Sequence, residues 1–207
     1  MRKPHMKNIL FSFIVLLLAG CSSAPKSNYF DVGVSSFARP DTSEKKIYVL
    51  LPADPGITSE DLQFTEFAAQ VERALASRGF QRSNDINSAD LAVYVGYGIG
   101  APKEQTYYRY VGTPIWIPQT VNTFDKYVFL IAGDLDEFRK TNKDKSVWEL
   151  WMTGSGWSND IRRVFPVYIA AGRAKIATST GQRIAVRMYE NDPAVLEIKG
   201  ISKQVTK

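Results

Sequence analysis

The first apolar stretch runs from Ile9 to Ala19, broken only by Ser12 and preceded by Arg2, Lys3 and Lys7. A helix needs about 20 apolar residues to cross a bilayer and a secretory h-region about 7–15, so this stretch predicts export, not a permanent span. From Ser22 to about Lys46 the chain is polar, with Tyr29, Phe30 and Phe37 scattered through it; its first part reads as a tether, and Tyr29 to Val32 are candidates for the first residues of the fold. Ile47 to Leu51 is then short, apolar and β-prone and is stopped by Pro52 and Pro55-Gly56, which predicts a strand buried on both faces. Thr58 and Asp61 carry the spacing of a helix start. Phe64, Phe67, Ala68, Val71, Ala74 and Leu75 recur on one helical face, Gly79 suits the left-handed residue that closes a helix, and Phe80 can fold back on its last turn. Leu91, Val93, Val95 and Tyr97 alternate with Ala92, Tyr94 and Gly96, the pattern of a central strand. Strand, helix and strand in this order predict a right-handed crossover between parallel neighbours.

Tyr127 to Leu135 and Val147 to Trp157 are β-prone runs around the charged stretch Asp136 to Lys145, which predicts an antiparallel hairpin with an exposed tip. Trp148, Leu150 and Met152 fall on one face, with Glu149, Trp151 and Thr153 on the other. Pro166 suits the first residue of a second helix, with Val167, Ala170, Ala171, Ala174 and Ala177 as a small-residue face and Thr180-Gly181 at its end. Ile184 to Tyr189 is a last strand, and Val195, Leu196 and Ile198 give the tail an apolar patch to dock. The expected fold is α+β: a two-layer sandwich of a mixed, mostly antiparallel twisted sheet with two main helices packed on one face. No internal repeat is visible.

Gly96, Gly98 and Gly100 lack the spacing of a dinucleotide fingerprint and are followed by Pro102 and Lys103, so they read as a place where a strand twists or bends. Tyr107, Tyr108, Tyr110 and Trp116 crowd a segment punctuated by Gly112, Pro114 and Pro118. Two readings stay open for them, packing under a loop and an outward binding surface, and packing is the expectation.

At the head of the chain, Leu18-Ala19-Gly20-Cys21 resembles the bacterial lipobox, in which the cysteine is lipidated and becomes the first residue after cleavage. The chain's single Cys falls where that motif demands it. Ser22 stands where the inner-membrane retention signal would be Asp, which by this resemblance implies an outer-membrane, periplasm-facing lipoprotein. The expected organisation is a signal peptide over 1–20, lipidated Cys21 and a tether over 21–40, a single α+β domain over 41–200 and a frayed tail over 201–207.

Cleavage changes the composition that matters. The formal charge is +5, but Arg2, Lys3 and Lys7 leave with the signal, so 26 basic residues become 23 against 21 acidic, or +2. With no dense Lys/Arg stripe, nucleic-acid binding is excluded. The single histidine, His5, leaves too, and Cys21 is acylated. Chemistry must then run without imidazole or free thiol, which removes Ser-His-Asp and Cys-His nucleophiles and the usual zinc ligation. No cofactor beyond the covalent lipid on Cys21 is expected, and no metal.

Leu75-x-x-x-Gly79-Phe80 leading to Ala89-Asp90-Leu91-Ala92-Val93, then Val147-Trp148-Glu149-Leu150-Trp151, then Arg163-Val164-Phe165-Pro166 before a small-residue helix, occur in the order of a known family. The chain resembles bacterial lipoproteins filed as domain of unknown function 4136 over most of its mature length. The resemblance implies a lipid-anchored α/β domain and supplies no catalytic residues; the family's longer insertions near Lys103 to Asn122 are compact here.

The expectation is a non-catalytic module bound to the membrane by its lipid, with an envelope protein or glycan as partner. A purely structural envelope protein is one alternative. Another is a carboxylate enzyme acting on glycan, because two acids can cleave a glycosidic bond without histidine. Asp134, Asp136, Glu137 and Glu149 are the acids available, although Asp136-Glu137 reads more simply as the solvated start of a hairpin turn. Calcium at Asp134 to Glu137 lacks a Gly-centred loop and a distal bidentate Glu.

Overall fold

The computed structural model describes residues 29–112 and 115–201. The expected signal peptide over 1–20, Cys21 and the tail beyond Ile201 lie outside them. Seven strands form one mixed sheet: β1 (Tyr29–Ala38), β2 (Ile47–Pro52), β3 (Gln81–Arg82), β4 (Leu91–Gly112), β5 (Ile115–Asp134), β6 (Ser146–Gly156) and β7 (Ile184–Tyr189), in the order β3-β2-β4-β5-β6-β1-β7. β2 runs parallel to β3 and β4, and the other pairs are antiparallel. The helices α1 (Leu62–Ala76), α3 (Ile161–Gly172) and α4 (Pro193–Lys199) pack on one face, while the short α2 (Leu135–Thr141) lies with Ala89, Val49 and Ala92 in a small second cluster. The α+β two-layer sandwich expected from the sequence is the fold observed.

Alternation decides which side of each strand is dry. Val32 and Val34, Leu91, Val93 and Val95, Val128, Leu130 and Ala132, and Trp148, Leu150 and Met152 are all buried in the helix-covered core. Their alternate neighbours Tyr94, Tyr127 and Trp151 are only partly covered. Phe67 of α1 stacks on Phe165 of α3 at 4.0 Å and 5° between planes, with the Tyr97 ring edge-on to both. This aromatic trio ties two helices to the central strand.

Four boundaries differ from expectation. β1 begins at Tyr29 and is held between β6 and β7, so the domain starts inside what was read as tether up to residue 40. Gly33, Ser35 and Ser36 hide its alternation, since small and polar residues serve here as strand positions. Asp61, not Thr58, caps α1, its carboxylate accepting from the Gln63 and Phe64 amides at 2.9 and 3.0 Å. The charged connection after β5 is the helix α2, because Asp134 caps it and Asp136, Glu137, Arg139 and Lys140 match charge to its two ends.

The fourth difference is α3. It starts at Ile161 under an Asp160 cap, places Pro166 inside, and ends at Gly172 rather than near Thr180. Proline removes the bond to the residue four before it, Arg162, which is exposed. Burial of Val164, Phe165, Val167 and Ile169 stabilises the helix against that loss. The tail docks as expected, with Val195 and Ile198 of α4 fully buried. Among the described residues, no helix is long and apolar enough to cross a membrane.

Candidate binding ribbon

β4 and β5 are far longer than their neighbours. β2 leaves β4 at Val95, and β6 leaves β5 where Gly156 pairs with Phe124. One extra residue on β4 shifts the register between Ile99 and Pro102, after which the two strands pair with each other from Pro102–Phe124 to Gly112–Ile115. At about 3.3 Å per residue this two-stranded ribbon extends about 30 Å beyond the sheet.

The root of the ribbon is braced. Lys126 falls on the helix-facing side of β5 and is 3% exposed, and its ammonium donates to the carbonyls of Phe124 and Gly156 at 3.0 and 2.9 Å. Burial pushes its pKa down, against a smaller opposing pull from Asp125. On the other face Asp125 pairs with Lys103, and Tyr127 and Phe129 lay their rings over Gly98 and Gly96, with Trp151 4.6 Å from Phe129. A Cβ at either glycine would collide with the ring above it. Gly96 and Gly98 therefore admit aromatic cover, and the irregularity expected of the three glycines falls at Gly100, inside the register shift between Ile99 and Pro102.

All four aromatic residues singled out in the sequence lie on this ribbon, and they are exposed: Tyr107 46%, Tyr108 66%, Tyr110 51% and Trp116 60%. Packing under a compact loop is corrected, because the segment is paired strand that no layer covers among the described residues. Tyr110 and Trp116 face each other across the strands with ring centroids 5.1 Å apart, and Tyr108 lies beside them opposite Pro118. Tyr107 pairs with Gln119 and points to the other face, next to Arg109 and Ile117. Sequence reasoning missed Val111, Ile115 and Ile117, each about half exposed, which extend the apolar surface toward the tip. It missed Lys126 as well, which lies just ahead of the β-prone run from Tyr127 and beside Asp125, where a lysine reads as a solvated strand end.

Of the acids weighed as catalysts or ligands, Asp134, Asp136 and Glu149 accept from neighbouring side chains, and Glu137 lies in the first turn of α2. Asp134 accepts from the Glu137 amide at 3.0 Å and from the Lys45 ammonium at 2.7 Å; Lys45 also reaches Asp136 at 3.3 Å, and Asp136 pairs with Arg139. Burial raises the Asp134 pKa, but the Lys45 ammonium and the α2 amides outweigh it and leave the carboxyl below its ordinary value. A lysine ammonium thus stands where calcium was considered. Glu149 accepts from the Trp151 indole N–H at 3.3 Å.

No protein-family model matches the chain, and no curated protein matches it in sequence. Among solved structures it is similar to a PDZ domain protein from Parabacteroides distasonis, at 15% identity and TM-score 0.46, over 78% of this chain and 39% of that one. This chain thus spans about two fifths of that protein. It is similar to a DUF4136 family protein from Bacteroides thetaiotaomicron, at 18% identity and TM-score 0.39, over 73% of this chain and 98% of that one. A third is the PelC dodecamer from Paraburkholderia phytofirmans, at 13% identity and TM-score 0.34, over 70% of this chain and 92% of that one.

Proposed function

We propose that this chain is a non-catalytic binding module, held at the periplasmic face of the outer membrane by lipid on Cys21, with the β4–β5 ribbon as its contact element. The observation that carries the reading is the exposure of Tyr107, Tyr108, Tyr110, Val111, Ile115, Trp116 and Ile117 on one protruding element. A lone two-stranded ribbon in water is marginal, and a large exposed apolar patch marks an interaction site. Between Gln105 and Asn122 the only charged residue is Arg109, so recognition rests on apolar contact and on strand edges that pair with no third strand among the described residues, not on ion pairing. Carboxylate catalysis is the weaker reading, since Asp134 and Asp136 serve α2 and Lys45.

Photo-crosslinking residues placed in living cells at Tyr108 and Trp116, with Glu66 on α1 as control, test the module. Discrete adducts to an envelope component from the ribbon positions, and none from Glu66, are expected. They should persist at high salt, because screening weakens only charged contacts. Equal crosslinking from all three positions would remove the ribbon from the role.

A further inference from the structure

Two features of the ribbon narrow what it touches. The first is a gradient along its length. Near the root the strands carry Lys103, Glu104, Gln105 and Thr106 opposite Thr123, Asn122, Val121 and Thr120, whereas toward the tip Tyr107 to Val111 face Ile115 to Gln119. The apolar part is the outer half, and it is apolar on both faces, with Tyr108, Tyr110 and Trp116 on one side and Tyr107 and Ile117 on the other. A protein groove covers one face of a ribbon. A medium that surrounds the tip rewards both.

The second feature is direction. β1 runs antiparallel to β6, with Gly33 opposite Thr153, and β6 ends at Gly156 beside the ribbon root. Tyr29 therefore lies at the end of the sheet from which the ribbon leaves, and Tyr29, Lys126 and Gly156 line one cavity there. Eight residues lead from Cys21 to Tyr29. At 3.3–3.6 Å each they reach about 29 Å at most, which matches the ribbon's length of about 30 Å. An anchor entering at this end keeps the tip within reach of the bilayer that holds the lipid.

We propose that the partner of the ribbon tip is the lipid surface itself: Tyr107, Tyr108, Tyr110, Trp116 and Ile117 seat in the headgroup interface of the membrane that carries the anchor. This rests on the lipid-anchored binding reading and names its partner. Tyr and Trp are the side chains that settle at that level, with an apolar ring body and a polar handle. Among the described residues no third strand pairs with either edge of the ribbon, and such edges hold the tip at the interface, where water and headgroups can bond them, and out of the hydrocarbon, where nothing can. Lys126 and the aromatic cover of Gly96 and Gly98 stiffen the root so that the tip is presented as a unit.

The lipidated protein, reconstituted into phosphatidylethanolamine–phosphatidylglycerol vesicles with brominated acyl chains, provides the test. Bromine quenches indoles at or below the interface, and the difference between the wild type and Trp116→Phe isolates Trp116 from the three remaining tryptophans. The expected result is clear quenching of that difference signal by brominated relative to plain lipid, reduced at least twofold by Tyr108→Ser/Tyr110→Ser. Absence of quenching at Trp116 overturns the proposal, as does quenching that the double variant leaves unchanged. Ribbon-specific protein adducts in cells together with an unquenched Trp116 would retain the binding module and reject the membrane as its partner, whereas a ribbon that does neither would end both.

Discussion

Phe67 has no exposed surface and is stacked on Phe165 with Tyr97 against its edge, so its ring fills space that nothing else can occupy. Phe67→Ala should cost about 3–5 kcal/mol, the loss typical of a phenyl ring deleted from a closed core. Denaturant unfolding measures it, and a loss under about 1 kcal/mol would contradict the packing described. Asp134 sits at the opposite extreme, a carboxylate that holds α2 and Lys45 at once. Its folded pKa lies below its unfolded value of about 3.9, so the stability it contributes is complete above the unfolded value and is lost as pH falls through the folded one. Asp134→Asn keeps a capping oxygen and loses the charge. It should lower stability at pH 7 by about 1–2 kcal/mol and flatten the acid side of the stability profile below about pH 5, as pH-dependent unfolding would show. Asp134 was visible in the sequence only as an acid among acids. Its role depends on Lys45, which lies 89 positions away and which no local pattern connects to it.

At the scale of elements, legibility follows burial on one side. β2 was readable as a short apolar run stopped by Pro52, and α1 because its apolar period and Gly79 agree on where the helix runs and ends; Gly79 takes φ +79° with the Phe80 amide donating back to the Leu75 carbonyl. The ribbon was not readable, because a strand exposed on both faces has no alternation of apolar and polar positions to show. Its Pro118 suggested a loop, yet it lies opposite Tyr108 in a strand whose outer edge pairs with no other strand among the described residues, where a missing N–H costs little. Pro166 misled in the same way, through a rule about isolated helices that the burial of Val164 and Phe165 overrides. The ribbon's independence from the core gives a direct test. Tyr108→Ser/Tyr110→Ser should abolish the ribbon's crosslinks while shifting global unfolding by less than about 1 kcal/mol, since exposed side chains contribute little to folding. A drop of 3 kcal/mol or more would return these residues to packing.

In the proposed arrangement the lipid on Cys21 and the ribbon meet at one end of the sheet, and the anchor is the part on which orientation depends. Acylation contributes about 0.8 kcal/mol per buried methylene, and a single chain binds only marginally, so the three chains expected on Cys21 are what would make attachment lasting. A ribbon of a few aromatic residues cannot replace them; it can only orient a domain already held. Cys21→Ser should therefore abolish incorporation of a palmitate analogue, leave the precursor uncut before residue 21, and separate lipidation from every ribbon property. Metabolic labelling and the mobility of the precursor read both effects. Lipid label persisting on the Ser variant would refute the lipobox reading, and with it the argument that a tether of eight residues and a ribbon of equal length converge on one membrane surface.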